Sequence, residues 1–250
     1  MLVILGLLVG GVLSGQSLIR ASELRKVSED VQRYTSAVYS FRDKYFALPG
    51  DMTNATQFWG VAGGTGNDAT CYNTVSTDMR TCNGNGNGIL FYDDGVTDGS
   101  APEWYRGWQH LANAELVSGN FTGTRDPSQP PAGATPGLNI PRGSMSNTGF
   151  TFLTTIKLTT DPDWFGGKYT GFAFGTSGYG YESMGSSLRP EQAWNLDTKL
   201  DDGKPGLGRL RTTKNASLCI STTDPATSAY ILTSTVVGCN MFFAIEDPGT

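Results

Sequence analysis

Three asparagines alternate with glycines over residues 83–88, and an aspartate follows shortly after them. The side-chain oxygens of Asn83, Asn85, Asn87 and Asp94 match the ligand spacing of a calcium-binding loop with alternating oxygen ligands. These four residues are therefore one candidate calcium site. Amide oxygens bring no negative charge, however, and Asn-Gly pairs are also favoured in turns with left-handed backbone angles. The spacing leaves both interpretations open, a calcium loop and a tight turn without a metal.

A second candidate site lies near the end of a predicted helix, Pro190–Leu200. Asp197 falls on the same face of that helix as three apolar residues, Ala193, Leu196 and Leu200. Its carboxylate should therefore be largely buried, and a buried carboxylate needs hydrogen-bond donors or a cation. Asp197 is expected either to hold a loop in place by accepting hydrogen bonds or to bind a metal ion.

Both explanations of Asp197 have candidate partners nearby in the sequence. The donors could be loop N–H groups, Arg209 or Arg211. The cation would be Ca²⁺, held by Asp197 together with Asp201 and Asp202, because Ca²⁺ prefers oxygen ligands such as carboxylates. Calcium is thus the one cofactor that the sequence suggests, at either of two places.

Catalytic chemistry finds little support in the sequence. The nucleophile-elbow, zinc-protease and phosphate-loop motifs are all missing. The single histidine, His110, lies inside a predicted helix over Glu103–Val117, where a packed or exposed histidine is the ordinary case. We therefore expect no enzyme, with no catalytic residues and no cofactor-binding residues beyond the calcium candidates.

A group of aromatic residues could form a platform that binds a surface glycan, although such residues more often pack in a core. The group consists of Trp164, Phe165, Tyr169, Phe172, Phe174, Tyr179 and Tyr181. The sequence does not decide between the two roles.

The composition is typical of an exported, folded chain. Four cysteines fall into two local pairs, Cys71 with Cys82 and Cys219 with Cys239, and neither pair has the spacing of a zinc site. An even number of cysteines in a chain that is exported, as the N-terminal segment described below suggests, predicts two disulfide bonds. The net charge of −5 over 250 residues argues against general nucleic-acid binding, which would require a basic patch.

The secondary-structure elements that position these candidate site residues begin with a clear helical pattern at the N-terminus. No charged residue occurs between Met1 and Ile19. Apolar residues then recur at steps of three and four, which is typical of one face of a helix. This face, named the assembly stripe, consists of Leu24, Val27, Val31, Tyr34, Val38, Phe41 and Tyr45. The pattern predicts one continuous helix from near Met1 to about Phe46, roughly 70 Å long.

The apolar segment could be a retained membrane anchor or a cleaved secretory signal. A cleaved signal begins with basic residues and ends at a small-residue cleavage site. Here the first basic residue is Arg20, and the helical pattern runs on past any such site, which favours a retained anchor. Two glycine pairs, Gly6 with Gly10 and Gly11 with Gly15, would let membrane helices approach closely.

The segment MLVILGLLVGGVLSGQSLIRASELRKVSEDVQRYTSAVYSFRDKYFALPGD, residues 1–51, resembles the N-terminal helix of the type IV pilin and pseudopilin superfamily. Members carry a basic leader and then a start of the form Phe-x-x-x-Glu, which a dedicated peptidase exposes and which is then methylated. Neither feature is present here, and Met1 would align just after that Glu. We expect the chain as given to start a few residues late.

The resemblance implies a structural subunit, a minor pilin or pseudopilin, of a type IV pilus-like filament or of a type II secretion pseudopilus. Its partners would be other pilin subunits through the N-terminal helix, the inner membrane and the assembly machinery. The chain would cross the bacterial inner membrane once, with its head in the periplasm, and then enter an extracellular or periplasmic filament. The second cysteine pair resembles the C-terminal disulfide loop of many pilins, and major pseudopilins keep a calcium site near the C-terminus. The alternative is a membrane-tethered adhesin whose head binds a glycan.

The whole chain is expected to adopt an α+β fold. Residues 1–46 form a stem, with 1–19 in the membrane or filament core and 20–46 amphipathic, and residues 47–250 form the head. Leu48-Pro49-Gly50-Asp51 ends the stem helix. The predicted strands are Phe150–Thr160, Tyr169–Gly175, Ala216–Thr222, Tyr230–Val237 and Cys239–Ile245. The simplest architecture is an antiparallel sheet packed on the second half of the stem, with short helices.

Overall fold

The computed structural model describes residues 2–71, 74–90, 102–126, 128, 133–155, 169–177, 185–212 and 217–245. Within these ranges, the side chains of residues 2–14, 68–69 and 102 are outside the description.

The elements follow one another as a long helix, short helices and then strands. The helices are α1 (Leu2–Tyr45), α2 (Ala55–Trp59), α3 (Asp68–Cys71), α4 (Pro102–Asn113) and α5 (Pro190–Leu200), and the strands are β1 (Thr148–Thr155), β2 (Tyr169–Thr176), β3 (Leu210–Arg211) and β4 (Met241–Ala244). The chain is therefore an α+β protein with a long N-terminal helix, as the sequence predicts.

The stem helix α1 is continuous over 44 residues. At 1.5 Å per residue it is about 66 Å long. It carries ion pairs one turn apart, such as Arg25 with Glu29 at 3.0 Å on its exposed face and Lys26 with the buried Asp30 at 2.9 Å. Such pairs stabilise a helix independently of packing. The prediction of an unbroken helix is confirmed over these residues.

The membrane prediction for residues 1–19 falls largely on residues 1–14, whose side chains lie outside the description. Among the helical residues whose side chains are described, none belongs to a segment long and apolar enough to cross a bilayer. Leu18 and Ile19, at the edge of the predicted anchor, are 71% and 63% exposed. The membrane location of the stem stays a prediction.

The apolar stripe of α1 packs against the head of its own chain. The buried members are Val27, Val31, Tyr34, Val38 and Phe41, and the partly buried members are Leu24 and Tyr45. The five buried members have little or no surface left for neighbouring stems, whereas an assembly role of the partly buried Leu24 and Tyr45 stays a prediction. The periodicity indicates that one face of the helix is buried, but it does not say which surface covers that face.

The stem helix ends at Tyr45, where the chain reverses direction. Phe46 has a φ of +53° and is 92% exposed, and Gly50 has a φ of +99°. A side chain at Gly50 would collide with the backbone carbonyl of Glu103, so this turn requires glycine for space as well as for conformation. The predicted end of the helix near Phe46 is confirmed.

The head is built on a four-stranded sheet with strand order β1-β2-β4-β3, in which every neighbouring pair is antiparallel. Phe150 and Phe152 of β1 pair with Phe174 and Phe172 of β2. The ring of Tyr34 from α1 lies 5.2 Å from Phe150 and 5.9 Å from Phe172. Sheet and stem therefore share one aromatic core.

Helix α4 completes this core from a second side. Trp108 of α4 contacts Tyr34 edge-on at 4.8 Å and Phe172 at 5.5 Å between ring centroids. The helix ends at Asn113, earlier than the predicted Val117, and Glu115 already has a φ of +61°. Pairs of aromatic rings in these geometries stabilise a core beyond their buried area alone.

The predicted strands are only partly correct. Residues 150–155 and 169–175 lie in β1 and β2, whereas 156–160 fall outside the description. The predictions for Tyr230–Val237 and for the described part of Ala216–Thr222 are wrong, because these segments form turns joined by one bridge between Ile220 and Tyr230. Between them, the side chain of Asp224 accepts hydrogen bonds from Ala226 and Thr227, and such local bonds compete with strand pairing.

Both predicted disulfides are present. Cys71 pairs with Cys82 at a Cα–Cα distance of 5.6 Å, and Cys219 pairs with Cys239 at 5.1 Å. These distances are ordinary for disulfides. The first closes the loop before the Asn-Gly segment, and the second ties the turn region after β3 to the start of β4.

Candidate functional sites: two aspartate-centred loops

The Asn-Gly loop wraps around a carboxylate. Asp51 follows the end of the stem and is 6% exposed. Its Oδ1 accepts hydrogen bonds from the backbone N–H groups of Gly86 at 2.6 Å and Asn87 at 3.0 Å, and its Oδ2 accepts one from Gly88 at 2.9 Å. Consecutive N–H groups that converge in this way form a binding site for an anion.

The backbone of the loop explains why glycine recurs in it. Gly86 and Gly88 each have a φ of +77°, a left-handed conformation that glycine adopts without strain. At Gly84, an added Cβ would collide with the backbone of Gly50 and Asp51. The spacing of the glycines thus permits the close approach of the loop to Asp51.

The asparagine oxygens of the predicted calcium loop accept hydrogen bonds from backbone donors. Asn83 Oδ1 accepts from Thr56 N at 2.9 Å, Asn85 Oδ1 from Asn87 N at 3.0 Å, and Asn87 Oδ1 from Ile89 N at 2.8 Å. Asp94, the only carboxylate of the predicted set, lies outside the described residues. This geometry favours the alternative interpretation, a tight turn, and the calcium loop stays a prediction.

Asp197 lies at the end of α5, and its side chain is buried, as the helical face predicts. Its Oδ1 accepts a hydrogen bond from Gly203 N at 3.0 Å, and its Oδ2 accepts one from the Tyr230 hydroxyl at 2.7 Å. One predicted type of donor, a loop N–H group, is therefore confirmed. The sequence does not indicate Tyr230 as a donor, because it lies 33 residues away from Asp197 in a segment with a strand-like pattern.

The two predicted arginine donors bond elsewhere. The guanidinium of Arg209 donates to the carbonyl oxygens of Ala244 and Ile245, and Nε of Arg211 donates to the Gly208 carbonyl. The guanidinium of Arg211 also stacks over the ring of Tyr169 at 4.2 Å. Neither arginine is placed as the hydrogen-bond partner of Asp197, and that part of the prediction is wrong.

The structure brings together the three carboxylates that were predicted as calcium ligands. One oxygen from each of Asp197, Asp201 and Asp202 lies within 4.8 Å of the other two. Two oxygens that each contact one Ca²⁺ at about 2.3–2.6 Å are at most about 5 Å apart. The set is therefore compact enough for all three carboxylates to contact a single ion.

The loop after α5 holds these carboxylates in place. Asp201 Oδ2 accepts hydrogen bonds from the backbone N–H groups of Arg209 and Leu210, and Asp202 Oδ1 accepts one from Lys204 N at 2.8 Å. The backbone of residues 203–210 is thus folded back over the end of the helix. This arrangement would position ligand oxygens before an ion binds.

The electrostatic state of Asp197 reflects this crowding. Burial raises the pKa of Asp197 to about 7, and the charges of Asp202 and Asp201 act in the same direction, against the hydrogen bonds from Tyr230 and Gly203. Burial also raises the pKa of Tyr230 well above its ordinary value, and the Asp197 charge adds to that effect. A proton or a cation on Asp197 would relieve the repulsion.

A cavity of about 300 Å³ opens beside this cluster, between the stem and the head. The stem contributes Gln32 and Thr35 to its lining, and the head contributes Asp201, Arg209 and Phe243. Asp202 itself is exposed. Water and ions can therefore reach Asp201 and Asp202 from outside the fold, whereas Asp197 is fully buried behind them.

His110, the single histidine, is a buried structural residue. Its Nδ1 accepts a hydrogen bond from Gly50 N at 3.0 Å, and its Nε2 lies 3.0 Å from Thr81 Oγ1 and 3.2 Å from the Cys82 carbonyl oxygen. Burial, together with the charge of Arg106, lowers the pKa of His110 to about 3. The ring is neutral near pH 7 and joins the turn after the stem to the first disulfide.

Three of the seven aromatic residues that could form a platform lie in the described part of the chain. Phe172 and Phe174 are fully buried, so for these two residues the structure favours the core alternative over the platform. Tyr169 is half-buried under Arg211. The remaining four members, Trp164, Phe165, Tyr179 and Tyr181, lie outside the described residues.

No protein-family model matches the chain, and searches of curated proteins and of solved structures give no significant match. The class of the protein therefore rests on its fold and sites. By these it is an α+β protein with a long N-terminal helix, two disulfides and an aspartate cluster at the end of α5.

Proposed function

We propose that the chain is a structural subunit, a minor pilin or pseudopilin, of a type IV pilus-like filament. The observation that carries this proposal is the division of α1 into two parts. From Val27 to Phe41 its apolar face is buried under the head, whereas Leu18 and Ile19 are exposed and continue into an uncharged N-terminal segment. A helix that is covered by its own head from Val27 onward and exposed at Leu18 and Ile19 suits a subunit whose N-terminal part packs with other copies.

The proposed mechanism is assembly without covalent chemistry. The N-terminal half of the stem would wait in the inner membrane and then leave it to join the stems of neighbouring subunits. The head, fixed to the other half by the Tyr34–Trp108 core, would remain on the filament surface. The inter-subunit surface then lies toward the N-terminus from about Arg20 and does not include the buried members of the stripe, from Val27 to Phe41.

The aspartate cluster favours one version of this proposal, a subunit of a type II secretion pseudopilus. Major pseudopilins keep a calcium site near the C-terminus, and Asp197, Asp201 and Asp202 form a compact set of carboxylates in the C-terminal part of this chain. In that version the short filament would push folded proteins outward. Calcium would bind the head and stabilise the loop of residues 201–210.

Protection of an introduced cysteine would test the assembly proposal. Ile19→Cys should react with a maleimide in detergent-solubilised chains and be protected in filaments sheared from cells. Leu218→Cys, on the exposed surface of the head, is the matched control, because Leu218 is 52% exposed and Ile19 is 63% exposed. The control should react equally in both preparations.

Two results would contradict the proposal. The first is equal labelling of Ile19→Cys in filaments and in solubilised chains. The second is the absence of the chain from sheared filaments and from the membrane fraction of cells that carry the assembly machinery. Labelling of both cysteines only after detergent treatment would indicate that the chain is enclosed in some other particle.

A further inference from the structure

The Asp51 loop contains three consecutive Asn-Gly pairs, 83–84, 85–86 and 87–88. In such a pair the backbone nitrogen of glycine can attack the side-chain amide carbon of the asparagine, because glycine has no side chain to hinder the approach. The new C–N bond closes a succinimide ring, the glycine nitrogen loses its proton, and the side-chain nitrogen leaves as ammonia. Water then opens the ring to aspartate or isoaspartate, so water is the only co-reactant.

We propose that this loop is a latent site of spontaneous deamidation, and that the Asp51 carboxylate protects Asn85 and Asn87 in the folded protein. The two attacking nitrogens are both held by that carboxylate, Gly86 N at 2.6 Å and Gly88 N at 2.9 Å. Attack requires each nitrogen to give up its proton. The negative charge that would develop on the nitrogen is disfavoured beside a carboxylate.

The asparagine side chains are held as well. Asn85 Oδ1 accepts a hydrogen bond from Asn87 N at 3.0 Å, and Asn87 Oδ1 accepts one from Ile89 N at 2.8 Å. These bonds fix each side-chain amide relative to the backbone that follows it. The fold therefore restrains both reacting groups, the nitrogen and the amide carbon, while it uses the same glycines to form the turn.

Asn83 provides an internal reference within the same loop. Its attacking nitrogen, Gly84 N, donates to the carbonyl oxygen of Met52 at 2.9 Å and not to Asp51. Its side-chain oxygen accepts a hydrogen bond from Thr56 N at 2.9 Å. Protection of Asn83 thus depends on a neutral acceptor, and the loss of the Asp51 charge should affect it less.

The first deamidation event should promote the next. Asn85 N also donates to Glu103 Oε1 at 3.1 Å, so this part of the loop lies between two buried carboxylates, those of Asp51 and Glu103. A new aspartate at position 85 would add a like charge beside both, and like charges at close range repel. The loop would loosen, and Asn87 and the Gly88 nitrogen would be restrained less.

The test compares the full-length wild-type chain with Asp51→Asn during prolonged incubation at mildly alkaline pH. Peptide mapping by mass spectrometry would follow Asn83, Asn85 and Asn87 separately. Removal of the Asp51 charge should accelerate deamidation of Asn85 and Asn87 by at least about tenfold, which corresponds to about 1.4 kcal/mol of barrier. Asn83 should accelerate less, and doubly modified chains should exceed the product of the single-site frequencies.

Two controls separate local protection from global unfolding. Asp197→Asn changes a buried aspartate in the other loop, and all three sites should keep their wild-type rates. In denaturant, wild type and Asp51→Asn should deamidate at equal rates. If Asp51→Asn fails to fold, hydrogen exchange of Gly86 and Gly88 N–H in the wild type replaces it, and slow exchange at both is expected.

The proposal would be overturned by any of three results. Native wild type could deamidate as fast as the denatured chain, or Asp51→Asn could leave Asn85 and Asn87 at wild-type rates. Equal acceleration at the three sites in a folded Asp51→Asn variant would likewise show that Asp51 has no specific role. Fast exchange of the Gly86 and Gly88 amides in native wild type would have the same meaning.

Discussion

The two loops that the sequence offers as calcium sites use their aspartates in opposite ways. In the first, three backbone N–H groups surround the single carboxylate of Asp51. In the second, the three carboxylates of Asp197, Asp201 and Asp202 converge to within 4.8 Å of one another. The first loop brings partial positive charge to an anion, whereas the second accumulates negative charge.

This difference shows that the spacing of oxygen-bearing residues does not by itself identify a cation site. The Asn83–Gly88 segment has the spacing, but its oxygens accept hydrogen bonds from the backbone and its N–H groups already bind an anion. The Asp197 cluster lacks a recognised spacing but has an excess of negative charge, which a cation or a proton would offset. Four measurements test whether the two loops differ in this way.

The largest effect is expected for Asp51→Ala. Hydrogen bonds to a charged acceptor contribute about 1.5–3 kcal/mol each, and the three at Asp51 share one group, so the free energy of unfolding should fall by about 3–5 kcal/mol. Chemical denaturation of the full chain would measure it. Asp43→Ala, at an exposed aspartate of the stem, is the control and should change stability by less than about 0.5 kcal/mol. Equal decreases in the free energy of unfolding in the two variants would contradict a special role of the Asp51 loop in stability.

The pH dependence of stability should distinguish the second loop. The pKa of Asp197 is raised to about 7, from an ordinary value of 3.8, so the folded state keeps a proton that the unfolded chain releases. Its contribution to stability is complete below about pH 4 and is lost as the pH rises to about 7, at up to about 1.4 kcal/mol per pH unit. Denaturation in chelator across this range should show that slope as the difference between wild type and Asp197→Asn. A difference that does not vary with pH would mean that Asp197 titrates normally.

Calcium should stabilise the protein through the second loop and not through the first. Removal of Ca²⁺ by a chelator should lower the melting temperature of the wild type by several degrees, since a loss of 1 kcal/mol shifts it by about 2–4 °C for a chain of this size. The shift should disappear in Asp197→Asn and persist in Asp51→Asn. If the wild type melts at the same temperature with and without chelator, the aspartate cluster does not bind calcium and has only a structural role. A shift lost in Asp51→Asn alone would move the calcium site to the Asn-Gly loop.

The smallest effect is expected for Tyr230→Phe. The variant removes the hydroxyl that donates to Asp197 Oδ2 at 2.7 Å but keeps the ring, so stability near pH 7 should fall by about 1 kcal/mol. Because the hydrogen bond favours the ionised carboxylate, its loss should also raise the pKa of Asp197 further. Denaturation at several pH values would detect both changes. Tyr39→Phe, which removes a hydroxyl bonded to the Ile245 carbonyl at 2.6 Å, is the control and should leave the pH profile unchanged.

The sequence predicts well those features that depend on neighbouring residues. The continuous stem follows from steps of three and four, and the helix Pro190–Leu200 follows from its apolar face and its initial proline. The burial of Asp197 follows from the same face. The two disulfides join cysteines only 11 and 20 residues apart, so local pairing was enough to predict them.

Features that depend on distant residues were not predictable in this way. The strand predictions for Ala216–Thr222 and Tyr230–Val237 failed because the local side-chain bonds of Asp224 and the turn between Ile220 and Tyr230 outweigh strand preference. The prediction for Cys239–Ile245 is confirmed over Met241–Ala244, which forms β4. The short strand Leu210–Arg211 carries no periodic signal of its own, and it exists because Leu210 and Arg211 pair with Phe243 and Phe242. Strand propensity describes how well a residue suits a sheet but not whether a partner strand arrives.

Local sequence patterns are enough to predict a long helix with one apolar face, two disulfides between nearby cysteines, an aspartate turned toward the interior, and a glycine-rich loop. Which surface or side chain each of these features contacts depends on the folded chain. The tertiary structure places the apolar face under the chain's own head, Asp51 inside the loop 35 residues further on, and Tyr230 on Asp197. The physical reason is that helix periodicity and turn preference arise from contacts within a few residues, whereas the partner of a buried face or charge is chosen by packing of the whole chain.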